Sequence, residues 1–318
     1  MGIQHLNHYL RQYCPNEIKQ MTLWELRKKK IVIDTSIYMY RFEGEGGLID
    51  GMYQMITLML YYGIIPIFVF DGVSPPEKKE LIKQRKEKKY IAEKKYNNAK
   101  ERLGECSTDE ISYITTEMNE LRKQFIRLRS SDIENVKQLM KLCGVTYYEA
   151  EGEADQLCAK LVIKHKAYAC MSEDMDMFVY GCPRVLRYLS LINNTVIMYD
   201  LKAILHKLKL SMDEFKEICV LSGTDYNLNN TQESNLYKTL KWFEKYKKNC
   251  TDNKRDFYKW LDANTNYIKD YCQLISTLIM FDLKDMNIKK YDKQQIVNGP
   301  INNKELQRFL YDYDFIFV

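Results

Sequence analysis

The stretch from residue 31 to residue 71, IVIDTSIYMYRFEGEGGLIDGMYQMITLMLYYGIIPIFVFD, decides the fold. It begins and ends with a short run of β-branched or aromatic residues, and each run closes on an aspartate, Asp34 or Asp71. Such runs are typical of buried strands in a parallel sheet. Between them apolar residues recur at helical spacing, at Leu48, Met52, Met55, Ile56 and Met59. This strand–helix–strand unit predicts an α/β protein with a mostly parallel, twisted central sheet flanked by helices.

Acidic residues recur near the predicted ends of further apolar segments. They stand in GEADQ (Glu153, Asp155), in SEDMD (Asp174, Asp176) and in LSGTDYN (Asp225). For any single one of them, helix capping or turn formation is the simpler interpretation. Their repetition favours a shared site, because ligands of open α/β sheets bind beyond the carboxyl ends of the strands.

Carboxylates grouped in this way predict bound metal ions. Clustered acids repel one another and destabilise a fold unless cations balance them. Ligand sets made only of oxygen suit Mg²⁺, with Mn²⁺ as a substitute. Two such ions side by side are common in enzymes that hydrolyse phosphodiesters. The acids alone therefore predict a site for two metal ions that acts on a phosphodiester.

The middle of the chain predicts a projecting helical arm. Pro75-Pro76 ends the first unit, and polar helices are predicted over residues 77–103 and about 110–143. Residues 78–102 contain eleven Lys or Arg against four Glu. Helices this charged do not belong wholly to a core, so we expect an arch beside the sheet. Its basic residues form either a solvated face with i,i+4 pairs or a track for backbone phosphates, and the sequence leaves both open.

The remainder continues the α/β pattern and then becomes helical. Strands are predicted at residues 145–148 and 167–171, with a helix over 152–165 between them. A hairpin joins strands 185–189 and 195–199 around Asn193-Asn194. A helix is predicted over 205–221, and from residue 227 onward the chain is rich in Lys, Asn and Tyr and mostly helical.

The cysteines and one long apolar stretch bear on where the protein works. Nine cysteines without a Cys-x-x-Cys pair argue against a disulfide framework and a structural zinc site, and predict a reducing, intracellular compartment. The apolar stretch 52–70 is interrupted by Gly63 and Pro66, so it predicts a helix followed by a buried strand and no membrane span. The polar start MGIQHLNHYL predicts no signal peptide.

These motifs resemble those of the flap endonucleases, the XPG-type family of structure-specific 5′ nucleases. The resemblance rests on MGIQ, IVIDTSIYMYRF, GIIPIFVFDGVSPPEKKEL, GEADQLCAKL, SEDMDMFVYG and LSGTDYN, in that order. It covers residues 1–226 well and the remainder weakly. It implies a PIN-like nuclease core over residues 1–226, with a helical arch at about 77–143. It further implies a helical C-terminal region, 227–318, that packs on the core and contacts duplex DNA.

The resemblance also assigns roles to residues of the active site. The acids that match the family's ligands for two Mg²⁺ ions are Asp34, Asp71, Glu153, Asp155, Asp174, Asp176 and Asp225. Asp155 stands where most relatives have Glu, which shortens the side chain and keeps the charge. Lys78 and Arg85 match a basic pair on the arch that reaches into the active site and steadies the attacked phosphate.

Further matches imply contacts with DNA. Tyr40 matches a tyrosine that stacks on the base beside the scissile bond. Gly2 matches an N-terminal residue that lies close to the substrate. Arg127 and Arg129 fall where the second arch helix of relatives carries basic residues.

One departure concerns the anchor for duplex DNA. Relatives follow the last acid with a glycine-rich helix–turn–helix that holds the duplex together with a K⁺ ion. This chain has no glycine between Asp225 and Lys238, so its tight turns would need Asn229 or Asn230 in a left-handed conformation. The sequence therefore disfavours a K⁺ site. Lys238 and Lys241 are the candidates to hold the duplex instead, and a solvated helix face is the equally open alternative.

The function implied is Mg²⁺-dependent, structure-specific 5′ endonuclease activity on 5′ flaps of branched DNA, in replication, repair or recombination. The alternatives left open are a 5′→3′ exonuclease or Holliday-junction resolvase of the same superfamily, or a catalytically weak DNA-junction-binding protein. We expect a monomer in the nucleus or at a viral replication site in the cytoplasm. A sliding clamp is a weakly supported partner, because a clamp-binding pattern that begins at Gln307 is spoiled by Asp314.

Overall fold

A central β-sheet organises the residues that the computed structural model describes, which are 2–103, 108–227, 235–249, 256–291 and 296–316, without the side chains of 108 and 109. Within these ranges the sheet has seven strands: β1 (Ile18–Thr22), β2 (Lys30–Asp34), β3 (Ile65–Phe70), β4 (Thr146–Glu149), β5 (Ala169–Met171), β6 (Arg184–Ser190) and β7 (Thr195–Asp200). Their order across the sheet is β1-β7-β6-β5-β2-β3-β4.

Five neighbouring strands of the sheet, β6, β5, β2, β3 and β4, are parallel, which confirms the predicted fold class. Strand β2 lies in the middle, with β3 and β4 on one side and β5 and β6 on the other. The chain therefore changes direction across the sheet next to β2, and such switch points are where ligands bind in α/β sheets. The predicted hairpin is β6 and β7, which pair antiparallel. Strand β1, which pairs antiparallel with β7, was not predicted.

Helices cover both faces of the sheet. In the described part of the chain they are α1 (Leu6–Tyr13), α2 (Thr35–Glu45), α3 (Leu48–Tyr61), α4 (Lys79–Leu103), α5 (Thr108–Arg122), α6 (Ser130–Leu142), α7 (Ala154–Ile163), α8 (Asp176–Val179), α9 (Leu201–Leu208), α10 (Met212–Ser222), α11 (Leu236–Asn249), α12 (Phe257–Asn264), α13 (Tyr271–Met280) and α14 (Asn303–Tyr311).

Two predicted helices are each two helices in the structure. The helix predicted over about 110–143 is interrupted at residues 123–129, between α5 and α6. The helix predicted over 205–221 is interrupted between α9 and α10. There Lys209 adopts a left-handed backbone with φ 56°, and the Ser211 side chain accepts a hydrogen bond from Glu214 N and so caps α10. These local signals, a capping serine followed three residues later by Glu, outweigh continuous apolar spacing.

Alternating strand residues build a core on each side of the sheet. Ile31 and Ile33 of β2 belong to the core formed with α2, α3, α6 and α14. Val32 belongs to the opposite core, formed with α1, α7, α10 and residues of the C-terminal region. This period of two is what a strand buried on both faces requires. It leaves the end of β2, at Asp34, facing the edge where the loops and the arch meet.

The arch is formed by α4 and α5, which pack against each other. Helix α4 has 25 residues and, at 1.5 Å per residue, is about 37 Å long. Its buried residues are few and mostly small, Leu81, Ala92 and Ala99, so its basic side chains remain largely on the surface. The ring of Tyr96 packs edge-on against Phe125 at 5.4 Å, which fixes α4 to the segment after α5. The predicted arch is therefore present, with its second leg broken.

The C-terminal helix α14 buries the apolar position of the clamp-binding pattern. Leu310 is fully buried and packs in the same core as α6. A clamp that binds this pattern would need Leu310 on the surface, and the clamp contact stays a prediction. Across the described residues, the helices lack either the length or the apolar character that crossing a bilayer requires.

Candidate active site

The predicted acids meet at the carboxyl edge of the sheet. Asp34 is the last residue of β2 and Asp71 follows β3 directly. The β2–β5 register places Met171 opposite Ile33, so Ser172 lies level with Asp34 and its hydroxyl donates a hydrogen bond of 3.2 Å to Asp34 Oδ2. The acids that are less than a tenth exposed are Asp34, Glu153, Asp155, Asp176 and Asp225.

Their pKa values show that the acids form one electrostatic cluster. Burial first, then the charges of Asp71 and Asp174, raise the pKa of Asp34 to about 8. Burial and neighbouring carboxylates likewise hold the pKa of Asp155 and that of Asp176 well above the usual range. The pKa of Asp174 is raised by burial and then by Asp225. In these four acids burial and neighbouring carboxylates destabilise the charged form, as expected where cations are to be bound.

Asp71 is held differently from its neighbours. It is exposed, and its two carboxylate oxygens accept hydrogen bonds from Ser36 Oγ at 2.5 Å and from the backbone N–H of Ala154 at 2.9 Å. Ala154 is the first residue of α7, so Asp71 ties the end of β3 to the start of the helix that carries Asp155. This contact fixes two of the acidic segments relative to each other.

Two cations of the arch reach into the acid cluster. Lys78 Nζ lies 2.6 Å from Glu153 Oε1, and an Arg85 guanidinium nitrogen lies 2.8 Å from Asp225 Oδ2. Burial lowers the pKa of Lys78, but the charges of Asp155 and Glu153 outweigh it and leave the pKa raised. The structure therefore brings both predicted basic residues to the predicted acids.

Gly2 packs directly against two of the acids. A Cβ at this position would lie 2.5 Å from Asp176 Oδ1 and 2.6 Å from Asp174 Oδ1, and the backbone of Gly2 has φ +74°. Only glycine fits here without strain. The structure places Gly2 beside the acids, and its closeness to the substrate stays a prediction.

The remaining predicted DNA contacts lie outside the acid cluster. Tyr40 is 42% exposed, and Lys89 Nζ lies 5.0 Å from its ring centroid. Both line a cavity of about 500 Å³ between α2 and the arch. Arg127 binds Glu93 of α4 at 2.6 Å, and Arg129 immediately precedes α6. Lys238 and Lys241 are exposed on α11. Asn229 and Asn230, on which the K⁺ prediction depends, lie outside the described residues.

Sequence reasoning missed the side chains that hold the acids in place. Ser36 and Ser172 bind Asp71 and Asp34, and the hydroxyl of Tyr226 donates to Glu153 Oε2. Tyr226 directly follows Asp225, so the sequence could have indicated that it lies near the site. Its partner Glu153 lies 73 positions earlier in the chain, and no sequence pattern indicates that contact.

The residues present fit a site for divalent cations. The donor set consists of carboxylate oxygens, which Mg²⁺ and Mn²⁺ prefer. Asp176 Oδ1 is buried and has no hydrogen-bond partner among the described residues, which is costly unless something else binds it. As they stand, no three acidic, histidine or cysteine side chains of the described ranges converge closely enough to enclose an ion. Glu153 and Asp225 instead bind the two arch cations.

The fold and the site define a class, an α/β protein of nuclease-core architecture with buried acids beneath a basic arch. Two family models match the chain, the XPG N-terminal domain at residues 1–92 and the XPG I-region at residues 144–225. Flap endonuclease 1 of Zea mays is 32% identical over 245 residues, which are 71% of this chain and 62% of that protein. Flap endonuclease 1 of Leishmania braziliensis is 32% identical over 248 residues, 71% of this chain and 60% of that protein. The chain belongs to the XPG-type flap endonuclease family, and the match spans about three fifths of the length of these relatives.

Solved structures share the fold over nearly the whole chain. The catalytic core of Rad2 in complex with DNA substrate gives a TM-score of 0.68 at 22% identity, covering 98% of this chain and 95% of that one. Flap endonuclease-1 from Methanococcus jannaschii gives 0.63 at 23% identity, covering 94% and 91%. Human GEN1 in complex with Holliday junction DNA gives 0.61 at 18% identity, covering 99% and 74%. At these identities the similarity establishes the fold.

Proposed function

We propose that this protein is a structure-specific 5′ endonuclease that removes 5′ flaps from branched DNA by hydrolysing a phosphodiester. The observation that carries the proposal is the meeting of buried carboxylates with Lys78 and Arg85 of the arch. Stability alone would not require these ion pairs, because well-packed apolar residues stabilise a core at least as well as buried ion pairs do. Family membership supports the same function.

The seven acids would hold two Mg²⁺ ions, with Mn²⁺ as a substitute. When bound, such ions supply a hydroxide near neutral pH and stabilise the charge of the leaving oxygen. The chain's own residues do the rest of the work. Ser172 and Ser36 orient Asp34 and Asp71, and Gly2 leaves room for the carboxylates of Asp174 and Asp176.

Lys78 and Arg85 would bind the scissile phosphate. Both side chains already lie at the acids, so a phosphate that enters the site would come within hydrogen-bonding distance of two cations. Charged donors aimed at a reacting phosphate stabilise the charge that develops in the transition state. The planar guanidinium of Arg85 can offer two parallel donors to phosphate oxygens, which a lysine cannot.

The DNA would contact the protein on three surfaces. Tyr40, beside the cavity of about 500 Å³, would stack on a base next to the scissile bond. Arg127 and Arg129 would meet the single strand at the arch, and Lys238 and Lys241 the duplex. The last two contacts are sequence-independent, so Lys241→Ala should reduce the salt dependence of duplex binding by about one unit of slope. Replacing K⁺ by Na⁺ should leave binding unchanged if the chain has no K⁺ site.

Cleavage of a labelled 5′-flap duplex tests the proposal. With Mg²⁺ the wild-type protein should release the flap and leave a 5′-phosphate, whereas Asp174→Ala should be inactive. Asp262→Ala, which replaces an exposed aspartate of α12, is the matched control and should cut normally. Nicked, forked and four-way substrates run alongside distinguish flap cutting from exonuclease and resolvase activity.

Three results would contradict the proposal. Faster cutting of the four-way junction or of a blunt 5′ end would assign a resolvase or an exonuclease. Binding of all substrates without any cleavage would assign a DNA-junction-binding protein. Equal cleavage by Asp174→Ala would mean that the acid cluster is not the site. We propose that the protein acts as a monomer in DNA replication, repair or recombination. We place this activity in the nucleus or at a viral replication site in the cytoplasm.

A further inference from the structure

Tyr226 stands in a turn whose conformation is fixed by a buried hydrogen-bond network. Asn227 is fully buried, and its Oδ1 accepts hydrogen bonds from Thr224 N at 2.6 Å and from Thr224 Oγ1 at 2.7 Å. Its amide donates to the carbonyl of Val220 at 2.7 Å. The turn therefore cannot rotate without breaking several buried hydrogen bonds, so the direction in which Tyr226 leaves the backbone is set.

The ring of Tyr226 is held in place as well. It packs against Phe281 with the ring centroids 5.4 Å apart and an interplanar angle of 80°. The ring of Tyr180 packs on the same phenylalanine at 4.8 Å. Phe281 is fully buried and Tyr226 is 5% exposed. The edge-on contact with Phe281 and the burial of Tyr226 together restrict the position of its hydroxyl.

That hydroxyl has a defined hydrogen-bond direction. A carboxylate only accepts, so Tyr226 donates its single proton to Glu153 Oε2. The oxygen of Tyr226 then accepts from the hydroxyl of Tyr180, 2.9 Å away. The two hydrogen bonds of Tyr226 therefore follow from the geometry alone, with the carboxylate of Glu153 as the acceptor.

The second oxygen of Glu153 has a different kind of partner. Lys78 Nζ lies 2.6 Å from Glu153 Oε1 and 4.8 Å from the centroid of the Tyr226 ring. Lys78 lies in the short turn that leads into α4 of the arch, whereas Tyr226 belongs to the buried core beside α10. One oxygen of Glu153 is thus bound by a fixed neutral donor, and the other by a cation on a separate element.

We infer that Tyr226 is a positioning residue for Glu153, which keeps Oε2 bound to the protein and presents Oε1 alone to a divalent cation. The inference rests on the proposed function, because Glu153 is a metal ligand only in that reading. A carboxylate held at one oxygen loses less conformational freedom on binding an ion than a free one does. Glu153 is therefore a one-oxygen ligand, and Tyr226 tunes its affinity without touching substrate or ion.

The test is the affinity of the DNA-free protein for Mn²⁺, measured by the electron paramagnetic resonance signal of free Mn²⁺. Tyr226→Phe keeps the ring on Phe281 and removes only the hydroxyl. Loss of a hydrogen bond to a ligand residue commonly costs 10- to 100-fold in metal affinity, so we expect a decrease of roughly tenfold. Tyr258→Phe is the matched control, because Tyr258 is equally buried and its hydroxyl donates to the carbonyl of Glu217 at 2.7 Å, away from the acids. It should lose stability but no Mn²⁺ affinity.

The outcomes separate this inference from the proposed function. Absence of Mn²⁺ binding by the wild-type protein would overturn the metal site and with it the nuclease. If folded Tyr226→Phe binds Mn²⁺ as tightly as the wild type, or if Tyr258→Phe loses as much Mn²⁺ affinity as Tyr226→Phe, only the positioning role of Tyr226 is overturned. If Tyr226→Phe does not fold, Tyr180→Phe decides, since it removes the donor behind Tyr226. We then expect a decrease of about threefold, and unchanged affinity would refute the inference.

Discussion

Replacing Asp34 with asparagine is expected to stabilise the metal-free protein. Burial, together with the charges of Asp71 and Asp174, raises the pKa of Asp34 from 3.8 to about 8. At pH 7 the folded protein therefore holds a proton on Asp34 that the unfolded chain has released. pH 7 lies about three units above the unfolded pKa of 3.8, and at 1.36 kcal/mol per unit this difference destabilises the folded protein by about 4 kcal/mol. Asparagine has the same shape and no such cost, so about 4 kcal/mol is the upper limit of the gain.

The pH dependence has a definite sign. Between the unfolded pKa of 3.8 and the folded pKa of about 8, the native state binds one proton more at Asp34 than the unfolded state. Stability therefore falls as pH rises through this window, by up to roughly 1.4 kcal/mol per unit from this group. Below the unfolded pKa both states are protonated, and Asp34 contributes no difference. Asp34→Asn should flatten the curve between about pH 4 and pH 8 and change it little at lower pH.

Thermal unfolding in EDTA measures the effect. At the entropy of unfolding expected for 318 residues, a gain of 4 kcal/mol corresponds to roughly 6 °C in Tm. Adding Mg²⁺ should then raise the Tm of the wild type and not that of Asp34→Asn, because only the wild type keeps the ligand. Asp71→Asn is the control of opposite sign. Asp71 is exposed and accepts two hydrogen bonds, so its replacement should cost about 1 kcal/mol. The reasoning fails if Asp34→Asn melts at or below the wild type at pH 7.5 in EDTA.

Three further substitutions test separate contacts. Arg85→Gln should slow single-turnover flap cleavage by roughly 10²- to 10³-fold. Lys86→Gln, which replaces the exposed neighbour on α4, should change the rate less than a few-fold. Similar rates for the two variants would show that only the total positive charge of the arch matters and not the position of Arg85. Gly2→Ala places a Cβ 2.5 Å from Asp176 Oδ1, so the Mg²⁺ concentration for half-maximal rate should rise, and an unchanged titration would disprove the close approach. Asn227→Ala removes three buried hydrogen bonds and should lower the free energy of unfolding in urea by about 3 kcal/mol, a loss that a value below 1 kcal/mol would contradict.

The parallel sheet was predictable because burial on both faces leaves a simple signal. A strand between two layers of helices is mostly apolar, and an aspartate at its end or directly after it stands out, as with Asp34 and Asp71. Strand β1 gave no such signal. It lies at the edge of the sheet with no fully buried residue, so its sequence IKQMT is mostly polar. The break at residues 123–129 was equally hidden, because a contact such as the hydrogen bond from Lys89 Nζ to the carbonyl of Ile126 joins residues 37 positions apart.

The site was predictable as a set of acids and not as a geometry. Resemblance found Lys78 and Arg85, but their partners Glu153 and Asp225 lie 75 and 140 positions away and follow only from the folded chain. The tyrosine hydroxyl on Glu153 is a contact of the same kind. Local patterns encode which residue types reach the carboxyl edge of the sheet. Which donor meets which oxygen is decided by how α7, α10 and the arch pack around that edge.

The two arch cations explain how a cluster of buried acids is compatible with a stable fold. Lys78 and Arg85 are seven residues apart, about two helical turns, so both can face the sheet from one side of the arch. Each neutralises an acid that has little contact with water, and a buried carboxylate without a partner would cost several kcal/mol. A divalent cation and a phosphate would together replace these two ion pairs, with the metal taking the carboxylates and the phosphate taking the lysine and arginine. Charge balance is then conserved when substrate binds, because every group that loses a partner gains another. With metal alone, Lys78 and Arg85 would lose their carboxylate partners, and with DNA alone Glu153 and Asp225 would lose their cations. Each ligand can therefore bind by itself at some electrostatic cost, and the geometry favours tighter binding when both are present.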